Sequence, residues 1–445
     1  MRFLVLLPLF GLTACGPQVA PTRIDDSALP ARFDASQPPV PEIASSLKSL
    51  FPSPALAALI NRALARNPDL KASSARLQEA GFNTQQSRSS LSPSLDANAG
   101  VSSSDFGTQT DRFSTTLDAQ WELDVWGRIK SGVTAASRDQ AAIAADSATA
   151  RQSIAAQTAQ AYFNLVATTQ LVDLNERSLK SFESTFSRVE RRFERGLANL
   201  GDVDLARTDI ENTRAGLAAR QNERDQAARR LAALTGDYPD AQGRAAGFPT
   251  LARSVPAGIP SQILTQRPDI DAAYQRIRAA DARITVARTD LYPRFSLTAS
   301  GGQQSATLKD LANSNFSVWS FAANLTAPLL DGGARRSELG AANARAQQAY
   351  ANYQSTVLNA LREVEDALGS ESSLASREAS TQRALTAALS AQDSVRRNYE
   401  AGLLELLSLL ETQRRAFNTE ESLINIRALR YQNRVALALA LGKAL

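Results

Sequence analysis

The 445-residue chain has no histidine, a single cysteine, and a single methionine, which is Met1. Without His, neither a Ser-His-Asp nor a Cys-His catalytic pair can be assembled, and a His-bearing zinc site is excluded. One Cys cannot close a disulfide within the chain, and thiolate or thioether metal sites are excluded with it. No phosphate loop of the GxxxxGK[ST] type is present. A carboxylate-only metal site stays open, but no spacing argues for one. The chain therefore reads as a non-enzyme without a cofactor. Aromatic residues are scarce at 6%, and the apolar content of 43% is spent on Ala and Leu. That mixture favours close-packed helices over a wide globular core. The net charge of +4 is small and both signs are interspersed, so the concentrated basic patch of a nucleic-acid binder is missing.

What the chain does have is a long internal repeat. Asn67-Pro68-Asp69-Leu70 returns as Arg267-Pro268-Asp269-Ile270, and Leu91-Ser92-Pro93 returns as Leu291-Tyr292-Pro293. Further on, Phe193-Glu194-Arg195-Gly196-Leu197 returns as Tyr399-Glu400-Ala401-Gly402-Leu403. The offset grows by six residues between about 300 and 333, which places the main difference between the copies there. A period this long means two copies of one large unit rather than a solenoid. The copies span 56–245 and 246–445.

The lone cysteine sits near the N-terminus. Met1-Arg2 supplies a positive start, and the apolar run from Phe3 to Leu12 is too short for a bilayer span, which needs about 20 residues. Residues 1–14 read as a signal peptide. Leu12-Thr13-Ala14-Cys15 resembles a bacterial lipobox, in which the Cys is lipidated and becomes the first mature residue. The alternative is an ordinary secretory signal with an incidental or buried Cys. Gly16 is not the Asp that resembles an inner-membrane retention signal, so outer-membrane sorting is expected. Several acyl chains would anchor the chain firmly, where one binds only marginally. Residues 15–55 are rich in Pro and read as an extended tether.

Within each copy the period changes twice. Pro68 and Pro268 suit a first helical turn, followed by Asp at the positive end of the dipole. Each helix should stop before Pro93 or Pro293. Alternation then takes over: Leu95, Ala97, Ala99 and Leu117, Ala119, Trp121, Leu123 in the first copy; Phe295, Leu297, Ala299 and Trp319, Phe321, Ala323, Leu325 in the second. These segments predict hairpins at about 94–125 and 294–329. They suit membrane-facing strands, with a soluble hairpin as the alternative. From about 127 to 195 and 332 to 401 there is no Pro and little Gly, which predicts rods of roughly 100 Å that pack as coiled coils. Gly196 and Gly402 are expected C-caps, and return helices fill out 127–236 and 332–441. The fold class is mainly α with a small β part: a duplicated unit of long coiled-coil helices and two β-hairpins. Four strands cannot enclose a pore, so several chains must close one barrel together.

These features in this order resemble the TolC-type outer-membrane efflux family, in its lipid-anchored branch that serves RND pumps, the NodT lipoproteins. The residues that carry the likeness are Cys15, Asn67-Pro68-Asp69, the run from Trp121 to Arg128, Phe193-Glu194-Arg195-Gly196, Arg267-Pro268-Asp269 and Tyr399-Glu400-Ala401-Gly402. The resemblance implies a homotrimer with a twelve-stranded barrel in the outer membrane and a helical barrel crossing the periplasm. It also implies a periplasmic adaptor and an inner-membrane RND transporter as partners. Drugs or other small toxic solutes would pass through passively. Two other readings remain: the outer component of a type I secretion system, and a lipid-anchored helical scaffold without a barrel.

By the same resemblance, the turns after Gly196 and Gly402 form a periplasmic gate. Asp202 and Tyr399 occupy the positions of a carboxylate–hydroxyl pair that would hold the tip closed. Asp202 has a second, compatible reading as the N-cap of the return helix. Asp202 and Asp204 face a Leu-rich partner turn. Ser408 and Glu411 stand where some relatives carry acidic rings, although Ser408 departs from that pattern and Glu411 also suits a solvated helix face. Gly196, Leu197, Gly402, Leu403 and Leu404 are the candidate adaptor-contact tips, with hydrophobic constriction and core packing as the other readings of the leucines. Arg191-Arg192 and Arg396-Arg397 read as exposed helical faces in preference to adaptor contacts. Trp121 suits a membrane-interface belt and Trp126 a packing role at the strand-to-helix joint.

Overall fold

The structure, a computed structural model, describes residues 32–35, 50–105, 109–243, 245, 247–251 and 260–443. Cys15, the segment 1–14 and most of the Pro-rich segment lie outside the described residues. The first copy contains α1 (Pro54–Arg66), α2 (Pro68–Ser89), β1 (Ser94–Asp105), β2 (Gln109–Leu123), α3 (Arg128–Glu194) and α4 (Leu200–Leu234). The second contains α5 (Pro260–Gln266), α6 (Pro268–Thr289), β3 (Arg294–Ser305), β4 (Ser317–Thr326), α7 (Ala334–Glu400) and α8 (Leu406–Ala440). The long helices α3 and α7 have 67 residues each, and the return helices α4 and α8 have 35 each. Among the described residues no helix is long and apolar enough to cross a membrane, which says nothing of the strands.

The chain divides into two compact units. In the unit built from 88–135 and 277–350, the strands form one antiparallel sheet in the order β1-β2-β3-β4. Its register lines the apolar positions up across all four strands. Leu95 lies opposite Ala119 and Ala97 opposite Leu117; Trp121 lies opposite Leu297, which in turn is opposite Ala323. Period-2 alternation then gives one apolar face and one polar face. The apolar face is uncovered in the single chain: Leu95, Val101, Leu117, Trp319, Phe321 and Leu325 are all exposed. Among the described residues, the two outer strands β1 and β4 each leave an edge without a partner. Ser94 pairs with Gln120 whereas Arg294 pairs with Thr326, so the six extra residues of the second copy lie within its hairpin. They are taken up by two 3₁₀ turns, Leu308–Ala312 and Ser314–Phe316.

The joint from β2 into α3 explains the Trp121-to-Arg128 run. Asp124 caps α3 by accepting from the Ile129 and Lys130 amides, both at 2.8 Å. Arg128 grips Glu122 with a two-pronged ion pair at 2.8–3.1 Å. Trp126 Nε1 donates to the Pro293 carbonyl at 2.7 Å and its ring meets Tyr292 at 5.3 Å, while Trp121 Nε1 donates to the Leu91 carbonyl.

The other unit, 26–87, 136–276 and 351–445, holds the main core. Phe51, Phe163, Phe248 and Tyr431 form an aromatic cluster, with Ala155, Ala156 and Ala159 of α3 allowing close approach. The Tyr431 hydroxyl donates to the Pro249 carbonyl, and burial pushes its pKa up to about 12. The two copies keep one joint in common. Asn67 Nδ2 donates to the Leu234 carbonyl at the end of α4, and Arg267 Nη1 donates to the Ala440 carbonyl at the end of α8, both at 3.0 Å. Different side chains thus satisfy the same orphan acceptor of a return helix. Asn67 also caps α2 through the Asp69 and Leu70 amides.

The expected extended tether needs a correction where it is described. Phe33 is buried, at 1% exposure, and the amides of Asp34 and Ala35 donate to the Glu365 carboxylate of α7 at 2.8 and 2.9 Å. This stretch is docked on the helices, because a buried ring and two charge-assisted hydrogen bonds outweigh the freedom of four residues.

Candidate functional site

The two turns that join each long helix to its return helix carry the sequence-predicted gate residues. Both are built alike. Gly196 (φ +73°) and Gly402 (φ +76°) take the left-handed conformation. The Leu197 amide then reaches back to the Arg192 carbonyl at 2.8 Å, and the Leu403 amide to the Asn398 carbonyl at 2.9 Å. This is the Schellman closure of a helix end.

Beneath the turns lies a compact apolar layer of Phe182, Val189, Val203, Ala206, Ile210, Tyr399, Leu406, Leu409 and Leu410. The leucines of the second turn divide between two environments. Leu406 belongs to this layer, whereas Leu403, Leu404 and Leu407 are exposed together with Leu197 and Leu200.

Asp202 sits in the first turn of α4, but the N-cap is Asn199, which corrects the cap reading. Asn199 Oδ1 accepts from the Asp202 amide at 2.9 Å and Asp202 Oδ2 accepts from the Asn199 amide at 3.1 Å. Asp202 is thus the third helical residue of a capping box. Among the described residues no hydrogen bond joins Asp202 to Tyr399. The Tyr399 ring lies instead beneath Arg192, whose guanidinium carbon is 4.9 Å from the ring centre and whose Nη1 donates to the Tyr399 carbonyl at 3.0 Å. Burial pushes the Tyr399 hydroxyl above its ordinary pKa; the charge of Arg192 opposes this and that of Asp202 adds to it.

Arg192 therefore does not lie on a plain exposed face: it clamps the end of α3 to the end of α7, helped by an ion pair between Arg188 and Glu400. Arg396 and Arg397 both turn to Asp393 on their own helix. Asp204 is exposed with Arg207 at 3.9 Å, Ser408 is half-buried, and Glu411 is exposed on α8. The structure gathers Tyr399, Arg192 and Asp202 at one level and leaves Asp204 and Glu411 on the surface.

Sequence reasoning missed a second set of residues just above the tip. Asp209 of α4 is 7% exposed at its side chain and accepts from Arg414 of α8 at 2.6 and 3.0 Å. Gln413 Nε2 donates to Thr185 Oγ1 at 3.0 Å. A ladder of Glu371 and Glu378 on α7 with Arg427, Arg430 and Arg434 on α8 ties the second pair of helices. For Glu378, burial works against ionisation, but hydrogen bonds from Arg430 and Arg427 prevail and hold its pKa below the usual carboxylate range. The partners are dozens to hundreds of residues apart, so no local pattern announces them. Among the described residues no group of three or more acidic, Cys or His side chains is placed to hold a metal ion.

The model of the family described as "Outer membrane efflux protein" matches residues 59–237 and 259–443, one segment for each copy of the repeat. The chain belongs to the outer membrane efflux protein family. As a member, it is an outer-membrane efflux channel, the exit duct of an efflux system. Cation efflux system protein CusC of Escherichia coli (strain K12) is 30% identical over 453 residues, covering 99% of this chain and 98% of its own. Outer membrane protein OprJ of Pseudomonas aeruginosa is 34% identical over 326 residues, 73% of this chain and 68% of its own. Among solved structures, the outer-membrane channel OprN superposes with a TM-score of 0.88 at 27% identity, over 95% of this chain and 98% of its own. The MtrE outer membrane channel of Neisseria gonorrhoeae, in its open state, gives 0.85 at 29% identity, over 94% and 96%.

Proposed function

We propose that three copies of the chain close a twelve-stranded barrel in the outer membrane and a helical barrel in the periplasm. The observation that carries this reading is the four-stranded sheet, with an uncovered apolar face and two unpaired edges. Open edges are not viable in lipid and four strands enclose no lumen, so closure needs further copies. The duct catalyses no reaction; the energy comes from an inner-membrane RND transporter, reached through a periplasmic adaptor. The exposed leucines at 197, 403 and 404, with Gly196 and Gly402, are the adaptor-contact tips, and Asp202, Asp204, Tyr399, Ser408 and Glu411 line the gate. Residues 1–14 are the signal peptide, and Cys15 carries the lipid that starts the tether. The cargo is drugs or other small toxic solutes. CusC, by its name, belongs to a cation efflux system; this chain, without His and with Met1 alone, offers no soft-metal ligands along a duct, so a metal ion would pass as a solute.

The test is a photo-cross-linker placed at Leu197 or Leu403 in living cells. A captured adaptor of an RND pump is the expected result. Capture of the adaptor of an ATP-driven exporter would move the chain to type I secretion. Monomeric migration in detergent without strand signal in circular dichroism would refute the barrel.

A further inference from the structure

The repeated pair of long helix and return helix encloses a recess in each copy. The first recess lies between α3, α4 and α8 and holds about 430 Å³. Six of its lining residues are Asn175, Ser178, Asp209, Asn212, Thr213 and Gly216. Their counterparts 206 positions on, Thr381, Ala384, Arg415, Asn418, Thr419 and Ser422, line a second recess between α7 and α8. The cavity is thus a product of the helix pair. Its chemistry is not repeated. Where the first recess has the Asp209 carboxylate and the Ser178 hydroxyl, the second has the Arg415 guanidinium and the methyl group of Ala384.

The first recess is rich in acceptors and short of donors. Thr208 and Thr213 spend their hydroxyl hydrogens on the Asp204 and Asp209 carbonyls, at 2.8 and 2.7 Å. Asn175 spends its Nδ2 on the Leu171 carbonyl at 3.0 Å. These three side chains keep only lone pairs for a ligand. Asp209 goes further. Its Oδ1 takes both bonds from Arg414, at 2.6 and 3.0 Å, whereas Oδ2 is buried and receives no donor among the described residues. Ser178, 7% exposed, likewise has no hydrogen-bond partner among them. Buried polar groups left in this way cost free energy that a bound donor returns. Leu174 and Phe182 of α3 and Phe417 of α8 add an apolar wall, with the two rings 6.0 Å apart.

We propose that this recess binds a small organic cation, an ammonium group carried on a ring or short alkyl body. The three N–H donors of a primary ammonium match an acceptor-rich lining, and one of them supplies what Asp209 Oδ2 lacks. Arg414 is no obstacle, because it engages Oδ1 alone and leaves the second carboxylate oxygen to another cation. The body packs on Leu174, Phe182 and Phe417, in a volume ordinary for a small-molecule site. The second recess has no part in this, since Arg415 repels a cation there. One site per chain follows. It belongs to the helices of a single chain, so the barrel reading above stands or falls separately.

The experiment titrates full-length protein in detergent with phenethylamine, phenethyl alcohol and phenylpropionate, by isothermal calorimetry. Phenethylamine is expected to bind once per chain. The alcohol and the carboxylate should bind at least about ten-fold more weakly, the loss that goes with one charge-assisted hydrogen bond. Asp209→Asn keeps the shape and removes the charge. Asn212→Lys puts a cation at an exposed position of the same recess and leaves the Asp209–Arg414 pair in place. Both variants should weaken phenethylamine binding by a similar factor, with native-gel migration unchanged. If an unpaired Arg414 disturbs the fold of Asp209→Asn, Asn212→Lys decides. Equal affinity for the amine and the alcohol would overturn the cation assignment. Undiminished binding by Asn212→Lys would put the amine elsewhere, and no binding by the native protein, or two equivalents per chain, would overturn the site. None of these results bears on the trimer, which the native gel reads by itself.

Discussion

Gly236 stands so close to the end of α1 that a β-carbon on it would lie 2.9 Å from the Arg66 carbonyl oxygen. Gly442 has the same relation to Gln266, at 2.7 Å. Both glycines also hold φ near +70° at the end of a return helix. Each copy thus needs a residue without a side chain at the place where its return helix docks on the joint before Pro68 or Pro268. Replacing Gly236 by Ala combines left-handed strain with a clash against backbone, and should cost about 2 kcal/mol or more. Thermal melting of Gly236→Ala and Gly442→Ala in detergent measures it; Gly340→Ala, in open space within α7, should be neutral or slightly stabilising.

The ladder between α7 and α8 makes a prediction about acid. The pKa of Glu378 is depressed in the folded chain, so its contribution is present above the ordinary value of 4.5 and is lost as pH falls through the folded value. Stability against denaturant should therefore fall as the pH drops below about 4.5, and Glu378→Gln should flatten that dependence. An unchanged acid slope in the variant would remove Glu378 from the account.

Gate and cap can be separated at Asp202. Asp202→Ala removes one arm of the capping box and should destabilise the turn by about 1 kcal/mol. Tyr399→Phe leaves the cap alone and removes only the hydroxyl. If the Tyr399–Asp202 pair holds the duct shut in the assembled protein, both variants should raise conductance in planar bilayers. If only Asp202→Ala does so, the carboxylate acts through the helix start.

The two faces of the sheet should respond in opposite ways. Phe321→Arg puts a charge on the apolar face and should cost about 2–4 kcal/mol near the membrane midplane, lowering recovery in the outer-membrane fraction. Ser320→Arg, one residue away on the polar face, should assemble normally. Equal losses would mean that the apolar face does not meet lipid.

Cys15→Ser should abolish incorporation of labelled fatty acid, and persistent labelling would refute the lipid anchor.

Much of this architecture was legible because its signals are local. Pro93 and Pro293 end the helices before them; Gly196 and Gly402 end the long ones; alternation around Trp121 and Trp319 marks strands. The capping box stands in the sequence as Asn199-Leu200-Gly201-Asp202, with Asn and Asp in place of the usual Ser/Thr and Glu/Gln, so its local signal is weak. The helices α1 and α5 are short and precede Pro68 and Pro268, so the Pro that starts the next helix hid the one before it. The Asp209–Arg414 pair and the Arg192–Tyr399 contact join residues about 205 apart in sequence. They follow from the way the copies pack, and no spacing rule contains them.

The docking of Phe33 and Asp34 on α7 also sets a ruler. Only the stretch from Cys15 to Asp34 remains between a lipid on Cys15 and the Glu365 clasp, and a fully extended chain of that length reaches roughly 65 Å at most. With Cys15 lipidated as proposed, the membrane surface would lie within that leash of Glu365. Such an anchor would act as a depth gauge, and shortening the segment by deletion should pull α7 toward the bilayer or tear Phe33 from its pocket.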